Sequence, residues 1–395
     1  MSAPAQSLTA IVLGGGGARA AYQAGALRAI ASLHSRTGPA SSPNPFPIVC
    51  GTSAGAINAA ALALNADDFR RGVARLVRWW RRISASHVYK SDFGELSRHS
   101  AQFLASVLTG TRPPDGVASL LDNAPLAQLL RAEFDFSRLS SRIREGTLRA
   151  LAINATSYST GHSVSFFEGA ADLAGWRRLR RGGERAALSH DHLLASTAIP
   201  FLFPAAPIGD DWYMDGSVRQ LAPLSAAINL GARRILVIAV GQFNGQRVPA
   251  SPTDYPSFAQ AAGHALSTVF LDNLASDIER AMQVNRVLDL VPPEAAARLP
   301  LGHVDALVLA PSRDLGAMAM AYVDSLPGPV RALLRGLGST AGTGANLTSY
   351  LMFEPAFCRA LIALGYEDTM ARRDDVRAFL AGGRHPAPLL PANFG

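Results

Sequence analysis

The chain has 395 residues, 48% of them hydrophobic and 17% charged, with a formal net charge of +7 and two cysteines. This composition provides for a large core and excludes a disordered chain, and two cysteines exclude a disulfide scaffold. The positive charge is almost all arginine, Lys90 being the only lysine. Compositional bias is the preferred account over attraction to anionic lipid or nucleic acid, and no nucleic-acid-binding motif accompanies it, so no nucleic-acid partner is expected.

Residues 8–13 (LTAIVL) read as a buried strand. The glycine run Gly14 to Gly17 follows, then a helix over residues 20–34. A Pro/Ser/Asn loop over 38–47 leads to a second strand, 46–50. That strand ends in Gly51-Thr52-Ser53-Ala54-Gly55, and a helix continues over 56–64. Such alternation predicts an α/β fold with a mostly parallel sheet, and places both tight turns at the carboxyl ends of their strands, where open α/β sheets carry their sites. Residues 68–83 form an amphipathic helix. Val73, Leu76, Val77 and Trp80 share one face, and Arg71, Arg75, Arg78 and Arg82 another. The helix fits either a core-packed position or an anionic membrane surface, and the core-packed reading is adopted. Further helices are predicted over 97–108, 125–133, 254–287, 350–364 and 373–380. Further strands are predicted over 148–154, 163–167, 234–240 and 304–309. The basic stretch Trp176 to Arg181 reads as a solvated loop, and 336–344 as a glycine-rich loop. No stretch is long and apolar enough to span a bilayer and no secretory signal is seen, so a cytoplasmic protein with at most peripheral membrane contact is expected.

The pentapeptide GTSAG fits G-x-S-x-G. Small residues Gly51 and Gly55 allow a sharp turn that holds Ser53 in a strained conformation, hydroxyl outward, at the amide end of a helix. Gly15, Gly16 and Gly17 are candidates for backbone amides around a developing oxyanion, with Arg19 beside them. Gly15-x-Gly17-x-x-Ala20 also fits a dinucleotide fingerprint. That reading needs an acidic residue at the end of the second strand, and no Asp or Glu precedes Asp67. No cofactor is therefore expected. A Ser-His-Asp triad would need a late histidine, and His264, His303 and His385 occupy no evident catalytic loop. His190-Asp191-His192 has a metal site's composition but no second cluster, so no metal is expected either. Asp215, followed by Gly216, is the carboxylate candidate for activating Ser53. It needs burial to raise its pKa, and an Asp-Gly turn is the plain alternative.

Together these segments resemble the patatin-like phospholipase family. LGGGGARAAYQAGAL is similar to its glycine-rich segment, GTSAG to its nucleophile motif, Asp215-Gly216 to its D-G-G/A motif, and ASTAIPFLFP to the run before the aspartate. The resemblance implies a three-layer α/β/α fold with a nucleophile elbow and a lipid acyl hydrolase working through an acyl-enzyme without metal. It implies Ser53 as nucleophile, Asp215 as base, Gly15, Gly16 and Gly17 as oxyanion hole, and Arg19 as the family's basic residue. Ala20 and Ser217 depart from the family pattern, which bears on fine geometry. Residues 8–245 would be the catalytic core, and 246–390 a mostly helical extension packed on the same domain. Part of residues 84–119 would cover the site as a lid. An inactive lipid-binding or regulatory relative is the alternative reading.

Overall fold

The computed structural model describes residues 8–34, 42–110, 119–220, 222–242, 258–296, 298–299, 301–336 and 345–382. Among these residues ten strands form one sheet: β1 (Leu8–Leu13), β2 (Ile48–Thr52), β3 (Ala150–Ser157), β4 (Ser163–Gly169), β5 (Trp176–Arg178), β6 (Arg181–Arg185), β7 (Ala206–Ile208), β8 (Asp211–Asp215), β9 (Ala232–Ile238) and β10 (Asp305–Leu309). The order is β10-β9-β1-β2-β3-β4-β6-β5, with β8 joined to β3 and β7. From β10 to β3 all pairings are parallel. Beyond β3 the sheet is mixed, and β8 runs antiparallel to β3.

The central strands are apolar nearly throughout because both faces are covered. On one face lie Ile11, Leu13, Val49, Leu151, Ile153, Leu236 and Ile238, under helices that include Ala21–His34, Ala54–Leu64, Phe69–Arg82 and Pro355–Ala371. On the other lie Ala10, Val12, Ile48, Cys50, Ile235 and Val237, under the helices Ser225–Asn229 and Phe258–Asp289. The result is the predicted three-layer α/β/α arrangement.

Several local details differ from the sequence reading. The second strand begins at Ile48 rather than 46, since Pro47 has no amide to give the ladder. The stretch Trp176 to Arg181 is no loop: β5 and β6 form a hairpin turning at Leu179 and Arg180, where Arg180 takes a positive φ of 59°. The helix predicted over 350–364 is two helices, Ala345–Leu351 and Pro355–Ala371, bent 99° apart. Pro355 sits in the first turn of the second, where its missing amide costs nothing. The helix predicted from 68 is Phe69–Arg82, capped by the Asp68 carboxylate accepting from the Arg71 amide, and it buries Val73, Leu76, Val77 and Trp80. Most of the glycine loop predicted over 336–344, and residues 111–118 of the predicted lid, lie outside the described residues. No single helix is long and apolar enough to cross a membrane among the described residues.

The segment after 245 joins the same sheet through β10, which pairs with β9. It also crosses the first helix closely. A Cβ at Gly25 would strike the backbone carbonyl of Ile362, and one at Gly365 that of Tyr22. Backbone cannot yield as a side-chain tip can. Gly365→Ala is expected to destabilise the fold by about 1–3 kcal/mol, the usual cost of overpacking. Gly94→Ala, in a helix with nothing within 4 Å of its added Cβ, should be neutral or stabilising by up to about 1 kcal/mol. Urea unfolding midpoints of the two variants check this.

Candidate active site

The site is assembled on β3. The pairing of β2 with β3 ends at Thr52 opposite Asn154, and the chain then turns into Ser53. The antiparallel β8 takes up the pairing at the next residue, Asp215 opposite Ala155. Strands β2 and β8 run toward each other along one edge of β3, so their carboxyl ends meet. Two residues 162 apart in the chain are thereby brought side by side.

Ser53 has φ 56° and ψ −134°, a conformation that a side-chain-bearing residue rarely adopts and that must be held from outside. Its amide donates to Ser196 Oγ at 2.8 Å, and Ser196 Oγ donates in turn to the Asn154 carbonyl at 2.6 Å. Gly51 and Gly55 allow the turn itself. A Cβ at Gly55 would collide with the carbonyls of Leu13 and Gly14, and one at Gly51 with the backbone of Gly55 and Ala56. The helix Ala54–Leu64 then starts directly at Ser53, so the partial positive charge of its amide end lies there.

Asp215 is 1% exposed. Its Oδ1 accepts from the Ser217 amide at 2.9 Å. Its Oδ2 is buried with no hydrogen-bond partner among the described residues. Burial raises its pKa to about 6, against the lowering effect of the Ser53 hydroxyl and of the Ser217 amide and hydroxyl. The Ser53 hydroxyl thus faces this carboxyl closely enough to influence it. Gly216 lets the chain leave Asp215 against β3, since a Cβ there would meet the Asn154 carbonyl.

The glycine loop lies beside this pair. Gly17 lines the same apolar cavity as Ser53. It has φ 54°, and a Cβ on it would strike the Tyr350 carbonyl. At Gly16 a Cβ would enter the Val240 side chain. Gly15 is buried between Gly14 and Gly16 and is absent from the lining of the cavity. The loop is anchored from below by a chain of buried amides. Gln23 Nε2 donates to the carbonyls of Gly14 (2.8 Å) and Ile238 (3.1 Å). Asn58 Nδ2 donates to Gln23 Oε1 at 2.8 Å, and Trp80 Nε1 to Asn58 Oδ1 at 2.7 Å.

Arg19, expected beside the glycine loop, turns toward the C-terminal segment. Its guanidinium is buried and turned to the helix Ala345–Leu351: Nε donates to Ser349 Oγ at 2.7 Å, Nη2 to Asn346 Oδ1 at 2.8 Å, and its carbon lies 4.2 Å from the centre of the Tyr350 ring. Its amide donates to the Gly16 carbonyl. Its donors hold the loop and the C-terminal segment together. Three histidines are tied into the fold, while the side chain of His264 lies outside the described residues. His190 bonds the Phe134 carbonyl, His192 Nδ1 bonds Ser189, and His303 pairs with Asp289. His385 lies outside the described residues.

The cavity over Ser53 is about 30 Å³ and is walled mainly by Trp79, Trp80, Ile199, Phe203 and Phe353. That is room for a water or two, not for a fatty-acyl chain. Val88, from the region predicted as a lid, also lines it, and neighbouring Tyr89 is tied to the Leu351 carbonyl at 3.0 Å. Ser196, Gln23, Asn58 and Asn154 were not found from sequence, because each acts across elements distant in the chain.

A family model described as patatin-like phospholipase matches residues 11–228. Among solved structures, VipD from Legionella pneumophila is 13% identical, with a TM-score of 0.37, over 95% of this chain and 68% of that one. Human GIVD cytosolic phospholipase A2, solved with methyl gamma-linolenyl fluorophosphonate inhibitor and terbium chloride, is 12% identical, with a TM-score of 0.41, over 95% of this chain. The chain spans 59% of that human protein. No curated protein matches the chain.

An aspartate whose pKa is raised on folding binds its proton more tightly in the folded state. Its favourable contribution is complete below the unfolded value near 3.8 and is lost as pH rises through about 6. At neutral pH the ionised Asp215 should therefore cost up to about 3 kcal/mol. Asp215→Asn keeps an acceptor for the Ser217 amide and removes the charge. Its melting temperature is expected to exceed the native one at pH 7–8 and to converge with it near pH 4. A melting-temperature series across pH checks this, and a variant less stable at every pH would contradict it.

Proposed function

The chain belongs to the patatin-like phospholipase family, and from that premise we propose that it is a lipid acyl hydrolase in which Ser53 and Asp215 act as a dyad. The observation that carries this reading is the meeting of the two at one edge of β3, with Ser53 in strained geometry and Asp215 buried at a pKa of about 6. A carboxylate at its ordinary pKa is a weak base for an alcohol, and one raised by burial is matched far better to that task near neutral pH.

In the proposed reaction Ser53 Oγ attacks the ester carbonyl carbon while its proton passes to Asp215. The negative charge that forms on the carbonyl oxygen is stabilised by backbone amides of the Gly15–Gly17 loop and by the amide end of the helix Ala54–Leu64. The C–O bond to the alcohol breaks, and the alcohol leaves with the proton held by Asp215. Water then attacks the acyl–Ser53 ester, giving its proton to Asp215, and the carboxylic acid departs as Ser53 recovers a proton. No step calls on a metal or a cofactor. The apolar wall suits the acyl part of the substrate, and the small volume of the cavity means that this wall must open to admit it.

Hydrolysis of a soluble ester such as p-nitrophenyl butyrate tests the reading. Ser53→Ala and Asp215→Asn should each lower kcat by about a thousandfold or more, as loss of a catalytic pair member does. Turnover retained in either variant would remove that residue from its role, and no turnover in the native chain would favour the inactive lipid-binding alternative. Ser196→Ala, which frees the Ser53 amide, is expected to lower kcat by about tenfold with KM little changed, because it loosens the elbow and not the substrate pocket.

A further inference from the structure

Arg75, Arg78 and Arg82 follow one another at spacings of three and four in the helix Phe69–Arg82, so they share a face. With Trp79, His87 and Glu133 they line an open groove of about 300 Å³. All three arginines are exposed. None enters any ion pair among the described residues. Like charges at these spacings destabilise a helix, and the partial negative charge of its C-terminal end offsets only the last of them. The one acidic side chain in the groove, Glu133, cannot neutralise three guanidiniums.

The groove also abuts the candidate active site. Trp79 and Ile83 line both the groove and the cavity over Ser53, so Trp79 is a partition between them. The Trp79 ring packs edge-on to Trp80 and Phe134 at 5.0 and 6.3 Å. Its Nε1 is buried without a hydrogen-bond partner among the described residues, so packing holds it. A displaced Trp79 would join a cationic groove to an apolar cavity. That combination matches a molecule with an anionic head and an acyl tail.

We infer that the groove formed by Arg75, Arg78 and Arg82 binds the phosphate of an anionic phospholipid whose acyl ester reaches Ser53 past Trp79. Guanidinium groups suit this ligand, since their forked donors match phosphate oxygens. Nucleic acid shares the phosphate but has nothing to place in the apolar cavity. The inference rests on the acyl-hydrolase reading of Ser53 for its chemistry, but not for its binding.

The test uses the full chain and the variant Arg75→Gln/Arg78→Gln/Arg82→Gln, whose exposed positions leave the core intact; melting temperatures check that. Vesicles of phosphatidylcholine with and without phosphatidylglycerol are compared for binding by sedimentation and for acyl release. p-Nitrophenyl butyrate, which has no phosphate, reports on Ser53 alone. The native chain should favour vesicles containing phosphatidylglycerol. The variant should lose about a hundredfold in affinity for them, at roughly a fivefold loss per cation near the surface, while cleaving the soluble ester as the native chain does. Equal binding and hydrolysis of phosphatidylglycerol vesicles by variant and native chain would overturn the inference. So would a variant that loses only affinity for RNA. A native chain that binds these vesicles through the arginines but cleaves no ester would uphold the groove and refute the acyl-hydrolase reading instead.

Discussion

The structure depends on one strand shared by two others. β3 is long enough to pair with β2 through Asn154 and with β8 from Ala155 onward. Because β8 is antiparallel to β3 and β2 is parallel to it, the two strands point at each other and deliver Ser53 and Asp215 to one place. A single-residue slip of β8 would send the Asp215 side chain to the opposite face of the sheet. Register is therefore the tolerance on which the chemistry rests, and the polar contacts around β3 guard it. Asn154 accepts from Ser165 and donates to Thr52, Thr52 donates to Gln220, and Thr156 donates to the Asp215 carbonyl.

The site is held against its own preferences. Ser53 occupies an unfavourable backbone conformation, and Asp215 keeps a buried oxygen without a partner among the described residues. Support comes from outside: Ser196 clamps the elbow, the Ser217 amide holds Asp215 Oδ1, and the Trp80–Asn58–Gln23 chain fixes the glycine loop. This second chain links the wall of the cavity to the loop under it, so a shift of the Phe69–Arg82 helix would reach both. Arg19, from the loop, grips the Ala345–Leu351 helix, which couples the C-terminal segment to the same corner. The segment beyond residue 245 thus buttresses the site as well as completing the sheet through β10.

How much of this could be read from the sequence follows from the range of the forces involved. Tight turns demand particular residues, so the glycine loop and the GTSAG elbow were legible, as were the apolar strands that flank them. Asp215 was legible only through its resemblance to a family motif, since an Asp-Gly pair taken alone is an ordinary turn. Ser196 was not singled out, because nothing in a helical Ala-Ser-Thr run reveals a partner 143 residues away. The contacts of Arg19 were not legible, because proximity to the glycine loop along the chain says nothing about where a long side chain goes. The β5–β6 hairpin escaped because its charged residues look solvated and lack an alternating apolar pattern. The helix predicted over 350–364 runs through a bend at residues 352–354, although Pro355, which opens the second helix, marks the break locally.

The central claim is that Asp215 governs the reactivity of Ser53, and the rate at which a fluorophosphonate forms an adduct on Ser53 reads that coupling most directly. Intact-mass spectrometry across pH should give a rate that rises as pH increases and is half-maximal near 6, the pKa that burial confers on Asp215. The Asp215→Asn chain should react slowly and without that inflection. An adduct rate that is flat with pH, or an inflection that survives in Asp215→Asn, would contradict the account.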